Sequence, residues 1–197
     1  MKKEIILIGL NEFADWEAAF IAPALHAGVA PGRPTKYVVK TMSLTKEPIV
    51  SIGGVNMLPD YDLQTVSKDY AGIILIGGMQ WFTPEAQQLL PIVEEAVKNG
   101  KLVAAICNAS IFLGMNGFLD NVKHTSNTLE YLKSIAGAKY SGDDHYVNAQ
   151  AVRDNNIITA NGTGYLEFCR EILYALEADT AEKIEEYYTF NKSGLYR

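Results

Sequence analysis

The chain has 197 residues, 48% of them hydrophobic and 20% charged, with a formal net charge of -6. That length fits one domain, and that apolar fraction is enough to offset the entropy of ordering the chain, which excludes disorder. Its 17 Lys and Arg are scattered, so no basic stripe awaits a phosphate backbone, and no apolar run approaches the roughly 20 residues that span a bilayer; neither nucleic acid nor a membrane is predicted as a partner.

In chain order, Lys2 and Lys3 lead into an apolar stretch too short for a signal peptide, and the protein is expected in the cytoplasm. Short Val/Ile/Leu runs then alternate with longer amphipathic stretches. This is the pattern of a mostly parallel sheet covered by helices on both faces. Strands are predicted at Glu4 to Gly9, Tyr37 to Met42, Gly72 to Ile76, Leu102 to Ile106 and Ile157 to Ala160. Helices are predicted at Trp16 to Ala27, Pro84 to Lys98, Ala109 to Met115, Thr128 to Ile135 and Gly164 to Leu176. Pro23 should kink the first helix because it removes a backbone donor. The Gly-, Pro- and Asp-rich segment Ile52 to Leu63 reads as a small excursion off the sheet. No linker or repeat divides the chain, so 1–197 is predicted as a single domain with its core over about 1–177. The tail at 178–197 opens with a helical charge pattern and carries Tyr187, Tyr188, Phe190 and Tyr196, aromatics that suit packing on the domain or on a second subunit.

Three stretches carry chemistry. In the first, Leu102-Val103-Ala104-Ala105-Ile106 is a buried strand that ends at Cys107-Asn108 and passes at once into a helix. This places Cys107 at the carboxyl end of a strand, where open α/β sheets build their sites. The helix N-terminus behind it favours a thiolate, so the thiol is expected to titrate below its ordinary value of about 8.5. Ala104, Ala105 and Ala109 are small enough for the close strand-to-helix approach of a nucleophile elbow. The residues alone leave open that Cys107 is a small buried hydrophobe.

In the second, Ile73 to Ile76 ends in Gly77-Gly78, which lets the backbone approach a ligand; Gly78 N–H with Asn108 N–H would form an oxyanion hole. A tight turn is the competing reading. In the third, Asp15 reads as the N-cap of the first helix and Glu17 lies in its first turn, with Asp15, Trp16 and Gly77 as candidate pocket residues. Cap and packing roles compete for Asp15 and Trp16.

These features together, an acidic first turn after strand one, Gly-Gly after a hydrophobic strand, Ala105-Ile106-Cys107 at an elbow and Asn161-Gly162-Thr163 after a late strand, resemble the DJ-1/PfpI (ThiJ/PfpI) superfamily of the class I glutamine amidotransferase-like fold. The resemblance runs from the first strand to about Leu176. It implies a flavodoxin-like, three-layer α/β/α sandwich with the Cys107 elbow near the middle of a mostly parallel sheet. It also implies that Glu17 sits protonated against the sulfur, that Gly78 and Asn108 are the paired backbone donors, and that the protein is a homodimer. Many PfpI-type members carry histidine directly after the nucleophile, where this chain has Asn108. His124 resembles a downstream histidine that lines such sites, and it is the expected proton relay; a satisfied surface histidine is the alternative.

The function implied is a cysteine-dependent hydrolase or lyase of small carbonyl or amide compounds, of the kind described as intracellular proteases, without a cofactor. The alternative is a stress-response redox sensor read through an oxidisable Cys107. Glutamine amidotransfer is disfavoured, because Asn161-Gly162-Thr163 supplies no histidine, although Glu167 follows. Cys169 reads as a core thiol, His26 and His145 as structural, and three dispersed histidines make no metal site.

Overall fold

Strand β6 (Leu102–Ile106) is buried along its whole length, and everything that positions the site is built around it. A computed structural model describes residues 2–194. The other sheet strands are β1 (Lys3–Ile8), β2 (Tyr37–Met42), β5 (Tyr70–Leu75), β7 (Ala151–Asp154) and β8 (Ile157–Ala160). They lie in the order β2-β1-β5-β6-β8-β7, parallel except for the β7–β8 pair. Strands β3 (Ile49–Val50) and β4 (Asn56–Met57) form a separate antiparallel ribbon, an excursion off the sheet that starts before the expected Ile52 and ends before Leu63.

Because successive side chains in a strand point to opposite faces, the uninterrupted apolar runs of β1, β5 and β6 feed two cores at once. Ile6, Ile8, Ile73, Leu75, Val103 and Ala105 meet Trp81, Phe112 and Leu132 on one face. Ile5, Leu7, Ile74, Ala104 and Ile106 meet Ile21, Leu25, Phe168, Ile172 and Ile184 on the other. The first cluster includes helices α3 (Leu90–Lys98), α4 (Asn108–Met115) and α5 (Leu129–Ala136); the second includes α2 (Ile21–His26), α6 (Tyr165–Ala175) and α7 (Ala181–Ser193). The result is the expected three-layer α/β/α sandwich with a mostly parallel sheet. Among the described residues, no helix is long and apolar enough to cross a membrane.

Local departures have local causes. The predicted Trp16–Ala27 helix is split at Phe20 into α1 (Asp15–Ala19) and α2. Pro23 has no N–H to return to Ala19, so the helical ladder is interrupted there. The Pro84–Lys98 segment starts as a 3-10 turn, Glu85–Leu89, and becomes α-helical at Leu90, with a proline accommodated in the first turn of α3. Strand β7 lacks an apolar run and was not predicted; it joins β8 through a hairpin in which Asn155 adopts a left-handed conformation, φ 51°.

The expected aromatic tail packs on its own domain. Tyr187 OH donates to Phe20 O at 3.3 Å, Tyr188 OH donates to Glu167 Oε1 at 2.7 Å, and the Arg170 guanidinium lies 4.5 Å from the Tyr188 ring centre. Tyr196 lies outside the described residues.

Candidate active site at Cys107

The strand order reverses beside β1, with β2 on one side and β5 on the other, and in sheets of this kind the crevice at the carboxyl ends of the strands is where ligands bind. The loops that follow β1, β5, β6 and β8 converge there. Cys107 N–H donates to Ala160 O at 2.9 Å, continuing the β6–β8 ladder by one residue. The chain then turns sharply into α4: Cys107 has φ 58° and ψ -131°, a conformation that costs a non-glycine residue energy and is held only where its surroundings enforce it. Ala104, Ala105 and Ala109 around the turn are fully buried. The thiol is half-buried and free, whereas Cys169, also free, is buried in the core, which pushes its thiol well up.

Glu17 reaches the sulfur from α1 and is 1% exposed. Its Oε2 accepts from Gly77 N–H at 2.7 Å; its Oε1 has no nitrogen or oxygen partner and the group facing the carboxyl is the Cys107 thiol. Desolvation dominates, so the carboxyl is pushed up to about 7 against the opposing pull of Cys107 and Gly77 N–H. Gly77 is required at this point because a Cβ there would lie 2.6 Å from Cys107 Cβ and 2.8 Å from Ile106 O.

Burial and charge oppose the lowered thiol expected at the helix N-terminus. Burial and the Glu17 charge push Cys107 up to about 11, outweighing the Asn127 side chain and Asn108 N–H, which both act to lower it. The pair therefore carries two protons in acid, and once the first is lost the two groups share the one that remains. With that proton on Glu17, the sulfur is a thiolate facing a donor; with it on Cys107, the carboxylate faces a thiol.

Ala14 N–H donates to Gly77 O at 3.0 Å, which fixes the peptide leading into Gly78 and leaves Gly78 N–H directed away from that bond. Asn108 holds the next peptide: its Nδ2 donates to Gly78 O at 2.9 Å. Gly78 itself has φ +156°, and a Cβ there would lie 2.8 Å from Phe13 Cα. Gly78 and Asn108 are thus tied to each other beside the sulfur.

The remaining predicted residues are placed differently. Asp15 is not the N-cap of α1, a position held by Ala14 without a side-chain bond. Asp15 instead accepts from Ser51 Oγ and, at 2.8 Å, from Gly53 N–H, and these bonds hold its carboxyl below the usual range and moor the β3–β4 ribbon. Trp16 stands at the rim, with its Nε1 donating to Gly162 O at 3.0 Å.

His124 is not among the groups that meet the sulfur. Its ring is fully buried, with Nδ1 2.7 Å from Val122 O and Nε2 2.7 Å from Tyr140 OH. A carbonyl accepts only, so Nδ1 carries the proton and Nε2 accepts from the phenol. Burial lowers the ring's proton affinity. The group beside the sulfur from this segment is Asn127, which the sequence reading passed over: its Nδ2 lies 3.4 Å from Cys107 Sγ, and its Oδ1 accepts from Gly162 N–H at 2.9 Å. A signal existed, since side chains of an extended segment alternate and residues 124 and 127 then face opposite sides. Among the described residues, no three His, Cys, Asp or Glu side chains are grouped to hold a metal.

The chain is similar to known proteins along nearly its whole length. The family model for the DJ-1/PfpI family matches residues 2–175. The chain is 38% identical to the uncharacterized protease YdeA of Bacillus subtilis, over all of this chain and 94% of that protein. It is 31% identical to the uncharacterized protease YoaZ of the same organism, over 97% of this chain and 91% of that one. The crystal structure of a thiJ/pfpI family protein from Bacillus anthracis superposes with a TM-score of 0.89 at 34% identity, covering 99% of this chain and 92% of that one. On its sequence and its fold alike, the chain belongs to the DJ-1/PfpI family.

Proposed function

We propose that this protein is a cysteine-dependent hydrolase or lyase of small carbonyl or amide compounds, a protease-like activity in line with the names of its two Bacillus subtilis relatives. The observation that carries the reading is the buried Glu17 carboxyl, whose unpartnered Oε1 belongs to the group facing the thiol of a strained Cys107. Strained backbone and a desolvated ionisable pair are features that cluster at catalytic sites.

For an amide, Cys107 Sγ bonds to the carbonyl carbon while its proton passes to the Glu17 carboxylate. The carbonyl π pair moves onto oxygen, where Gly78 N–H and Asn108 N–H hold it. Glu17 then returns the proton to the departing nitrogen as the C–N bond breaks, leaving a thioester that water hydrolyses. Glu17 is suited to both directions because its proton affinity is centred near 7. His124 has no step here, since both ring nitrogens are engaged in the core.

We further read the protein as a cytoplasmic homodimer. Two free thiols suit a reducing compartment. Val50, Ile52, Val55 and Leu58 are exposed on or beside the ribbon, and Trp16 and Met79 are exposed near it, a surface that a second copy would cover. The deciding experiment is a mass-spectrometric screen of small aldehydes and model amides against wild type, Cys107→Ser and Glu17→Gln. Turnover lost in Cys107→Ser supports the reading. Peroxide oxidation of Cys107 with no turnover of any compound supports a redox sensor instead.

A further inference from the structure

Four polar groups from four segments of the chain form one directed run of hydrogen bonds that reaches the sulfur at Asn127. Gly162 N–H can only donate, so the Asn127 carboxamide must present Oδ1 to it, at 2.9 Å. That orientation turns Asn127 Nδ2 towards Cys107 Sγ at 3.4 Å and Asn108 Oδ1 at 3.3 Å. At the far end Gly78 O can only accept, so Asn108 must present Nδ2 to it, at 2.9 Å, which leaves its own Oδ1 facing Asn127. Both amides are therefore oriented by backbone groups whose roles cannot reverse, and the one donor aimed at the sulfur from this side is fixed.

We propose that Asn127 is a further active-site residue of this protein, a non-ionising hydrogen-bond donor that orients the Cys107 sulfur and, through Asn108 and the Gly162 turn, holds the loops around it in register. The proposal rests on reading Cys107 as the reactive group. It assigns proton transfer at the sulfur to Glu17 alone, since a carboxamide donates a hydrogen bond without giving up its proton. Glu17, reaching over from α1, is the ionisable side chain whose charge acts most strongly on this thiol. A substrate carbonyl at Cys107 would therefore meet a carboxamide on one side and the carboxyl on the other.

Asn127→Asp keeps the acceptor for Gly162 N–H but replaces the donor with a negatively charged oxygen facing both Sγ and Asn108 Oδ1. Asn127→Ala removes donor and acceptor together. The measurement is the second-order rate of iodoacetamide addition to Cys107, followed by peptide mass in the full-length protein between pH 7 and 10. Thermal melting accompanies it as a check on folding.

Loss of a donor to the thiolate lowers the reactive fraction at each pH, so the rate should fall about tenfold or more in Asn127→Asp and severalfold in Asn127→Ala. A purely structural role predicts the opposite sign, since loosening the Gly162 turn exposes the thiol. Unchanged or faster alkylation in the folded variants overturns the proposal, and Asn127→Ala decides if Asn127→Asp does not fold. The underlying reading fails separately: turnover that survives in Cys107→Ser removes the reactive cysteine whatever the Asn127 variants do. Loss of turnover in Cys107→Ser with wild-type alkylation rates in both Asn127 variants removes only the role given to Asn127.

Discussion

Gly162 lies against Cys107 so closely that a Cβ built on it would stand 3.1 Å from Sγ and 3.3 Å from Glu17 Oε1. The turn is held there by Trp16 Nε1 on its carbonyl and by Asn127 Oδ1 on its amide, so it cannot withdraw without breaking one of them. Gly162→Ala is therefore expected to crowd the sulfur and its carboxyl partner. Iodoacetamide addition to Cys107 should slow severalfold, at a stability cost of roughly 1–3 kcal/mol typical of overpacking. Rates and melting curves of the purified variant test this; an alkylation rate equal to that of wild type would show that the turn yields freely.

Glu17 makes stability depend on pH with a definite sign. Its folded value of about 7 lies above the ordinary 4.5, so the folded state holds the proton more tightly than the unfolded chain. The resulting stabilisation is fully present below about 4.5 and is lost as pH rises through about 7, a swing on the order of 3 kcal/mol. Glu17→Gln, neutral throughout, should remove that loss and be the more stable protein at pH 8. Urea unfolding of both proteins at pH 5 and pH 8 measures the difference; parallel behaviour of the two would mean that Glu17 is already ionised in the fold.

The same substitution bears on the thiol. The Glu17 charge is the second cause, after burial, of the raised Cys107 value. In Glu17→Gln the carboxylate is gone, and thiolate formation should become easier. We expect alkylation at pH 8 to accelerate about tenfold, with Cys169 still slow because it is sealed in the core. A slower Cys107 in this variant would show that Glu17 assists the sulfur chiefly as a protonated donor.

Strands β6 and β8 occupy the residues that their apolar runs predict, because a strand buried on both faces writes its limits directly into the sequence. The half-buried edge strand β7 has no such run and depends on pairing with β8, which sequence periodicity does not record. At the site, Cys107, Glu17, Gly77, Gly78 and Asn108 are legible in the sequence, since an elbow and a Gly-Gly turn are local features. Asn127 and the raised thiol escaped notice for one reason. Both depend on which loops meet over the sulfur and how much water they exclude, and that desolvation outweighs the Asn108 N–H at the start of the helix.

His124 tests the difference between a core histidine and a proton relay. Its two nitrogens hold Val122 O and Tyr140 OH, each at 2.7 Å, and its ring stands edge-on to Tyr140 and Tyr146 at 5.6 and 5.7 Å. Replacing it with alanine leaves a buried phenol without its acceptor and a cavity among aromatics, which should cost about 2–4 kcal/mol. The wild-type ring also sets an acid limit. Its proton affinity is lowered in the fold, so the stability it supplies is present above the unfolded value of about 6.5 and is lost progressively as pH falls below it. His124→Ala should therefore be less stable at neutral pH and lack that part of the acid dependence. Cys107, which His124 does not touch, should still react with iodoacetamide within about twofold of wild type at a temperature where both proteins are folded, whereas loss of a proton relay typically costs about 100-fold in turnover. Alkylation and denaturation on the same preparations separate the two roles: a drop of that size in Cys107 reactivity or in any turnover found, with the fold intact, would return His124 to the active site.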